Sequence, residues 1–267
     1  MFNRKKIKHL EEQLVQLQNK FEEEIYYTSK AANPLFGKRV YELKKLLNLY
    51  ALDQEIKWFG THGDGGYLLI DDLSDSDTLI SGGIGDNDSF EREIAPYIKQ
   101  IQMFDHTIKN YKVPASNSKF HQLKISEHNG LNEISIEKIA TDNPSEDYLL
   151  KLDIEGDEWA VLDSLETVFL DKFRQIIVEF HYFNRGIQFD FPRIVRVLEK
   201  LMTNHSPFSI HANNHGKYMY FGDQSFPQTL EIGFARNRSY ELRLEKEVSR
   251  HTLQHQNAEE YEEFLLW

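Results

Sequence analysis

The sequence predicts an α/β fold in which helices cover both faces of a mostly parallel β-sheet. Apolar runs of strand length alternate with helical stretches, as is typical of parallel strands joined by crossover helices. One run, at 78–81, leads through a glycine-rich turn directly into a helical stretch at 91–99. The predicted strands are residues 67–70, 78–81, 101–104, 120–125, 148–152, 175–180, 208–211 and 229–235.

Composition limits the class of protein. The 267 residues are 40% apolar and 13% aromatic, enough for one large domain with an appendage or for two domains. There are 31 Lys and Arg against 43 Asp and Glu, and the net charge of −12 disfavours bulk nucleic-acid binding because phosphates are repelled. The lack of cysteine excludes disulfides, thiolate metal sites and a cysteine nucleophile.

Residues 1–32 are predicted to form a separate amphipathic helix, and residues 33–267 the main domain. Between residues 4 and 26, apolar residues recur at alternating spacings of three and four, which is a short heptad pattern. Such a stripe either makes a homo-oligomer through a short coiled coil or docks on its own domain. The basic start and acidic end of the segment favour an antiparallel pair. The apolar residues are Ile7, Leu10, Leu14, Leu17 and Phe21.

The segments outside the predicted sheet indicate where the protein is located and where two further helices lie. Charged residues follow the basic start of the chain, so no export signal is expected, and no uncharged apolar run is long enough to span a bilayer. We therefore expect a cytoplasmic protein without membrane insertion. Residues 38–52 and the highly charged tail, 239–267, are predicted to be helical, and the apolar residues 264–267 are predicted to be buried.

The glycine-rich turn after residues 78–81 is predicted to bind a nucleoside cofactor. Gly82, Gly83 and Gly85 allow positive φ angles and let a ligand lie against bare backbone, and the helix start offers free N–H groups. About twenty residues later, Asp105 ends the next strand, where a carboxylate can accept both hydroxyls of a ribose. This pairing indicates either a dinucleotide or S-adenosylmethionine (SAM).

Charge around the turn favours SAM. A pyrophosphate would meet four acidic residues, whereas SAM brings a sulfonium and an ammonium with only one carboxylate. Asp88 also replaces the third glycine of the dinucleotide pattern. The alternatives are a nicotinamide-dependent sugar oxidoreductase and a non-catalytic nucleoside-binding scaffold of a glycan assembly complex. The four acids are Asp86, Asp88, Glu91 and Glu93.

A second glycine-rich segment, residues 60–66, precedes the sheet and contains Asp64. Asp64 either holds the methionine ammonium or lines the substrate pocket. The simpler alternative is a glycine turn that Asp64 caps.

Three predicted strands carry candidate catalytic residues at their carboxyl ends. The candidates are Asp153, Glu179 with His181, and His211 with Asn213. Parallel strands present their carboxyl ends at one edge of a sheet, where ligands bind in α/β folds. Methylation of a hydroxyl needs a base, and either histidine suits that role. The alternative is a divalent metal held by Asp153, Glu179 and a histidine, His181 or His211, which would acidify the hydroxyl directly.

Five segments together resemble the FkbM-related class I methyltransferases, most of all the branch found in bacterial capsule and surface-polysaccharide clusters. The resemblance covers residues 57–236, and Lys-x-Asp-x-Glu-Gly at 151–156 is its most specific part. The segments are Gly63-Asp64-Gly65-Gly66-Tyr67, Ser81-Gly82-Gly83-Ile84-Gly85, Asp105-His106-Thr107, Lys151-Leu152-Asp153-Ile154-Glu155-Gly156 and Val178-Glu179-Phe180-His181.

The resemblance implies a Rossmann-like class I methyltransferase sheet of seven strands, with the last strand, 229–235, inserted antiparallel. It implies SAM as the methyl donor and a sugar hydroxyl, often on a nucleotide-linked precursor, as the acceptor. The cofactor contacts that it implies are Gly82, Gly83 and Gly85 at the methionine portion, Asp105 and the adjoining His106 at the ribose, and Ile125 and Ser126 at the adenine. Asp153 would lie beside the methyl group.

The sequence therefore predicts a SAM-dependent O-methyltransferase that acts on a sugar, a nucleotide-activated heptose or hexose for capsular or surface polysaccharide. The phosphates of such an acceptor need basic groups near the pocket. The candidates, all on loops after predicted strands, are Arg185, Lys217, Arg236 and Arg238.

Overall fold

The computed structural model describes residues 34–74, 77–113 and 115–267. The heptad stripe at residues 4–26, and with it the predicted self-association, lies outside the described residues. The helices are α1 (Pro34–Leu46), α2 (Ser89–Ile94), α3 (Ile136–Asp142), α4 (Glu158–Ser164), α5 (Thr167–Leu170), α6 (Phe183–Phe189) and α7 (Phe191–Asn204), with a 3-10 turn at Ala95–Tyr97.

The strands are β1 (Tyr50–Ala51), β2 (Ile56–Phe59), β3 (Tyr67–Ile70), β4 (Asp77–Gly82), β5 (Gln100–Phe104), β6 (Ser118–His121), β7 (Lys124–Ile125), β8 (Glu133–Ile134), β9 (Asp147–Leu152), β10 (Phe173–Phe180), β11 (His205–Ala212), β12 (Tyr218–Phe221), β13 (Gln224–Pro227), β14 (Leu230–Arg236) and β15 (Arg243–Leu244).

A seven-stranded sheet with the order β11-β14-β10-β9-β4-β5-β6 forms the centre of the fold. The pairs β10–β9, β9–β4, β4–β5 and β5–β6 are parallel, whereas β14 runs antiparallel to both β10 and β11. The predicted α/β class, the mostly parallel sheet and the antiparallel insertion of the last strand are all confirmed. The order reverses between β4 and β9, so a ligand crevice is expected outside the carboxyl ends of these two strands.

Both faces of the sheet are covered, because successive side chains of a strand point to opposite faces. Leu150 and Val178 belong to the larger core cluster, which α1, α3, α4, α6 and α7 cover. Leu149 and Ile177 belong to the opposite face, where α2 and the hairpin β2–β3 pack. Helices therefore cover both faces as predicted, although the second face is covered by the hairpin as well as by α2.

Several of the predicted elements differ in the structure. The run at 67–70 is a strand, but it pairs with β2 in a separate hairpin rather than in the main sheet. The run at 120–125 is divided between β6 and β7, because a turn closed by Leu123 N–H donating to the His121 carbonyl interrupts it. The helix predicted at 38–52 begins at Pro34, a favoured first helical residue, and ends at Leu46, where the Asn48 side chain caps the carbonyls of Lys45 and Leu46.

The helix predicted for the charged tail is wrong. Residues 239–267 contain only the short strand β15, which pairs with β1, followed by irregular chain. Tyr240 packs against one apolar cluster, whereas Phe264 and Trp267 pack against another. The tail thus meets the body at separate places, which an extended course allows and a single helix does not. At the predicted buried chain end, Phe264, Leu266 and Trp267 are partly buried against the larger core cluster, whereas Leu265 is exposed.

Among the described residues, no helix combines the length and the apolar character that crossing a bilayer requires.

Candidate active site

A cavity of about 450 Å³ lies at the carboxyl ends of β4, β5 and β9, where the strand order reverses. Its walls come from both glycine-rich segments and from the ends of these strands. The predicted site residues that line it are Asp64, Gly83, Gly85, Asp105, His106, Ile125 and Asp153. The structure thus brings together in one cavity residues that lie up to ninety positions apart in the sequence.

The glycine turn is held directly against the end of β9. Gly82 accepts a hydrogen bond from the Asp153 backbone N–H at 3.1 Å, and Gly83 donates to the Phe104 carbonyl at 3.0 Å. Gly83 has a φ of +76°, and a Cβ atom there would lie 1.6 Å from the Asp153 carbonyl oxygen. Only glycine fits this position, so the turn and Asp153 share one fixed geometry.

Asp105 lies in the cavity, where its carboxylate holds the loop that the ribose was predicted to approach. Its Oδ2 atom accepts the backbone N–H groups of Ile84 at 3.1 Å and Gly85 at 3.0 Å. Its Oδ1 atom accepts the backbone N–H and the hydroxyl of Thr107. Although burial opposes ionisation, these donors outweigh it and lower the pKa of Asp105. Asp105 therefore shapes the glycine turn, in addition to its predicted contact with the ribose.

Of the four acids predicted around the turn, Asp86 and Glu91 line the cavity. Glu91 is buried and accepts the Ser81 hydroxyl, and its burial raises its pKa. The other two make contacts outside the cavity. Asp88 pairs with Arg92 at 2.6 Å, and Glu93 accepts the Gly60 backbone N–H at 2.7 Å.

The side of the cavity predicted for adenine is apolar. Phe104, Leu123 and Ile125 line it, and the Phe104 ring stacks on His121 with 4.6 Å between ring centroids. Ser126 is buried just beyond this wall, where its hydroxyl accepts the backbone N–H of His128.

Asp153, Glu179 and His181 converge at the ends of β9 and β10. One ligand atom of each lies within 4.8 Å of the others. His181 Nε2 is 3.9 Å from Asp153 Oδ1 and 3.6 Å from Glu179 Oε1. On its other side, His181 Nδ1 lies 3.0 Å from Oε1 of Glu158, whose side chain is fully buried. The ring is therefore fixed with Nε2 directed at the two carboxylates.

Each carboxylate of this cluster has its own hydrogen-bond donor. The Tyr67 hydroxyl donates to Asp153 Oδ2 at 2.8 Å, and Asn213 Nδ2 donates to Glu179 Oε1 at 2.6 Å. Lys151 Nζ lies 3.5 Å from Asp153 Oδ2 and donates to the Gly83 carbonyl, which joins the cluster to the glycine turn.

Negative charge dominates the electrostatics of the cluster. Burial, and then the neighbouring Asp153 and Glu231 carboxylates, raise the pKa of Glu179 well above its usual range. Burial alone would lower the pKa of His181, but its hydrogen bond to Glu158 and the surrounding carboxylates outweigh this effect and raise it. Partial burial and the Asp153 and Glu231 carboxylates also raise the pKa of Asp64 at the cavity wall.

His211 occupies a different environment from His181. Its Nδ1 lies 3.2 Å from Glu231 Oε2, and its Nε2 lies 3.0 Å from Glu263 Oε1 in the tail. Burial would lower its pKa, but the two carboxylates raise it to about 9. A protonated His211 therefore ties the tail to the sheet, and Asn257 and Arg250 of the tail complete the network by donating to Glu231 and Glu263.

Two of the four predicted phosphate-binding residues are at the wrong edge of the sheet. Arg236 pairs with Asp147 at 2.7 Å, at the amino end of β9, and Arg238 pairs with Asp171. The reason is that β14 is antiparallel, so it ends at the edge opposite to the carboxyl ends of its parallel neighbours. Lys217 is exposed on a loop, whereas Arg185 lies over the Tyr182 ring at 4.6 Å, next to the cluster.

The sequence interpretation gave no site role to Tyr67, Lys151 or Glu231, and it related Glu158 only to the helix dipole. A signal for two of them exists in the strand period. Lys151 and Glu231 are charged residues in strands that are otherwise mostly apolar and buried. Lys151 lies two positions before Asp153 and Glu231 two positions before Gly233, so each lies on the same face of the sheet as that residue. Glu158 carries no comparable signal, because an acidic residue in the first turn of a helix is expected for the helix dipole alone.

Comparison with known proteins identifies the family of this chain. The family model described as the methyltransferase FkbM domain matches residues 62–205, more than half of the chain. No curated protein sequence matches this chain.

Among solved structures, methyltransferase FkbM from Methylobacillus flagellatus KT is 14% identical, with a TM-score of 0.38, over 60% of this chain and 44% of that one. The alignment thus spans less than half of the Methylobacillus protein. N-methyltransferase NodS from Bradyrhizobium japonicum WM9 is 11% identical, with a TM-score of 0.34, over 76% of this chain and 97% of that one. A Streptococcus mutans protein in complex with S-adenosylhomocysteine (SAH) is 9% identical, with a TM-score of 0.34, over 61% and 88%.

The family match spans the glycine turn, Asp105 and Asp153, which line the cavity, and the cluster at the end of β10, to which Asp153 also belongs. The chain therefore belongs to the FkbM methyltransferase family.

Proposed function

We propose that this protein transfers a methyl group from SAM to a sugar hydroxyl, on a nucleotide-activated heptose or hexose used for capsular or surface polysaccharide. The observation that carries the proposal is the position of Asp153. Its side chain lines the glycine-turn cavity and also belongs to the cluster with Glu179 and His181. A cofactor-sized cavity and a group of proton-handling side chains thus share one wall.

The cavity supports SAM as the donor. Its volume of about 450 Å³ is in the range of small-molecule sites, and its glycine turn exposes backbone to a ligand. Asp86 and Glu91 remain in its wall, and their negative charge suits a sulfonium and an ammonium better than a pyrophosphate. The apolar side formed by Phe104, Leu123 and Ile125 suits a purine ring.

In the proposed reaction, a lone pair of the acceptor oxygen forms the new bond to the methyl carbon. The bond between sulfur and the methyl group breaks, and its electron pair stays on sulfur, which yields SAH. The hydroxyl proton passes to a histidine base at the cluster. His181 is favoured over His211 there, because both ring nitrogens of His211 are engaged by Glu231 and Glu263.

A nucleotide-linked acceptor is supported by Arg185 on α6. Its guanidinium lies over the Tyr182 ring, and that ring packs so closely on Gly156 that a Cβ there would be 2.6 Å away. Since Gly156 belongs to the turn that follows Asp153, the Arg185 guanidinium lies on the acceptor side of the cavity, and a guanidinium binds phosphate through paired, charge-assisted hydrogen bonds.

The test is incubation of the full chain with methyl-labelled SAM and a panel of nucleotide-activated heptoses and hexoses. We expect one acceptor to gain the mass of one methyl group, and Asp153→Asn to lose this transfer while Asp142→Asn, an exposed acid on α3, keeps it. Binding of NAD without binding of SAM would instead favour an oxidoreductase. SAM binding without transfer to any sugar or polysaccharide would favour a non-catalytic role.

A further inference from the structure

We propose that Asp153, Glu179 and His181 bind one divalent metal ion at the acceptor side of the cavity. The binding proposal stands on the geometry of these three residues. Its role in the reaction, activation of the acceptor hydroxyl, rests on the proposed function.

The distances within the cluster suit a shared ion better than direct hydrogen bonds. His181 Nε2 is 3.6 Å from Glu179 Oε1 and 3.9 Å from Asp153 Oδ1, which exceeds a normal hydrogen bond in both cases. Ligand atoms bound at about 2.1 Å to a common ion lie about 3 to 4 Å from one another. An ion between these atoms would replace two long contacts with three short bonds.

The orientation of His181 is that of a metal ligand with a supporting carboxylate. Metal-binding histidines commonly donate their second ring N–H to a carboxylate, which fixes the tautomer and makes the ligating nitrogen more basic. Glu158 takes this position, with Oε1 3.0 Å from His181 Nδ1 and no exposed side-chain surface. The buried Glu158 carboxylate is an independent observation, because it belongs to α4 and not to the cluster itself.

The two carboxylates are supported in the same way. Tyr67 donates to one oxygen of Asp153 and leaves the other facing His181. Asn213 donates to Oε1 of Glu179, the same oxygen that lies 3.6 Å from His181 Nε2 and that has a second lone pair, in a side chain that is only 5% exposed. Each of the three proposed ligands thus has a dedicated hydrogen-bond partner on a different element, as expected when ligands must be held in place before the ion binds.

Charge is the third argument. Asp153 and Glu179 are placed together at the ends of two neighbouring strands, and one oxygen of each lies within 4 Å of His181 Nε2. Mutual repulsion of buried carboxylates is costly, and a divalent cation offsets it. A set of two carboxylates and one imidazole favours a first-row ion such as Mn²⁺ over Ca²⁺, which prefers oxygen ligands throughout.

The proposed ion would coordinate the acceptor hydroxyl and lower its pKa, so that the proton leaves to solvent before or during methyl transfer. With the ion bound, Nε2 of His181 is a ligand, so the proton passes to solvent and not to His181, which is the acceptor only when no ion is bound. Glu155, which is 81% exposed and 3.8 Å from Nε2, lies between the cluster and solvent and offers a path for that proton.

The experiment is titration of the chelator-treated full chain with Mn²⁺, followed by electron paramagnetic resonance without donor or acceptor. We expect one bound ion per chain. In Asp153→Asn and Glu179→Gln the apparent Kd should rise at least about tenfold, and Glu158→Gln should weaken binding about 10- to 100-fold. Asp142→Asn makes the same chemical change at an exposed site and should bind as the parent does. Circular dichroism and urea denaturation verify that each variant is folded.

Absence of a bound ion in the parent chain, or equal binding in all variants, would overturn the proposal. The measurement needs no turnover, so its result is separable from that of the proposed function. Methyl transfer that survives complete chelation would show that the reaction needs no metal ion, while the proposed methyltransferase activity would stand. If the parent chain binds one ion, Asp153→Asn loses it, and no methyl group is transferred, the metal site would be supported and the proposed reaction would be wrong.

Discussion

His181 Nδ1 lies 3.0 Å from Glu158 Oε1, so a carboxylate at the start of α4 fixes a ring at the end of β10. The same carboxylate accepts the backbone N–H groups of Ile154 and Gly156, in the turn after β9. Glu158 therefore joins two strand ends that the sheet alone would leave independent. The charge of Glu158 holds His181, and its oxygen atoms accept the N–H groups of the turn. A substitution that keeps the shape and removes the charge can separate these two contributions.

Replacing Glu158 with Gln should lower the methyl-transfer rate at least about tenfold while leaving SAH affinity nearly unchanged. A glutamine carbonyl can still accept the N–H of Gly156, but it no longer supplies the negative charge that holds His181. Turnover at saturating SAM and calorimetry with SAH measure the two effects. Glu199→Gln, on the exposed face of α7, is the control. A Glu158→Gln enzyme with unchanged turnover would show that His181 needs no support from Glu158.

Two glycines of the same turn should respond differently to alanine. At Gly83 a Cβ would be 1.6 Å from the Asp153 carbonyl, whereas at Gly85, with a φ of +56°, it would meet no atom within 4 Å. We expect Gly85→Ala to cost about 1 kcal/mol of unfolding free energy, since the strain lies in the backbone alone. Gly83→Ala should cost at least about 3 kcal/mol or prevent folding, because backbone must move.

Urea denaturation of the two variants and the parent measures this difference, and SAH binding gives a second readout. Equal destabilisation by the two substitutions would contradict the close contact between the turn and β9.

Asp105→Asn should weaken SAH binding about tenfold or more. The carboxylate accepts the N–H groups of Ile84 and Gly85 and both donors of Thr107, and an asparagine can accept on only one side. The turn would then lose part of its support even before any contact with the ribose is considered. Calorimetry measures the affinity, and Asp86→Asn, an exposed acid of the same cavity wall, should change it less.

Stability should fall as the pH rises through about 9, because His211 loses its proton there. Its pKa is about 9 in the folded protein against 6.5 for an ordinary histidine, so the stabilising effect is complete below pH 6.5 and is lost above pH 9. The groups facing it are Glu231 on β14 and Glu263 in the tail, with Arg250 on the far side of Glu263. The shift corresponds to roughly 3 kcal/mol at 1.36 kcal/mol per pKa unit.

Denaturant unfolding at pH 6.5 and pH 10 tests this expectation, with His211→Gln as the comparison. The variant removes the titrating group, so its loss of stability over this range should be smaller by most of that amount. A parent and a variant with the same pH dependence would exclude His211 as the source.

The main parts of the sheet could be predicted because they depend on local sequence. Buried parallel strands are continuous apolar runs, and such runs at 78–81, 101–104, 148–152 and 175–180 are all strands of the main sheet. The hairpin strand at 67–70 has the same local pattern, so its exclusion from the main sheet could not be predicted from sequence. The helix prediction for the tail fails for a related reason, because charged residues and a lack of Gly and Pro are typical of helices and of extended surface segments alike.

The sequence by itself determined the α/β class, the glycine turn and the residues that stand at the strand ends, because periodicity and turn chemistry act over a few neighbouring residues. Only the tertiary structure decided which of those residues meet. His181 faces Asp153 and Glu179, whereas His211 is enclosed by Glu231 and the tail, and Arg236 lies at the opposite edge. The order and direction of strands set these contacts, and both depend on packing between residues far apart in the chain.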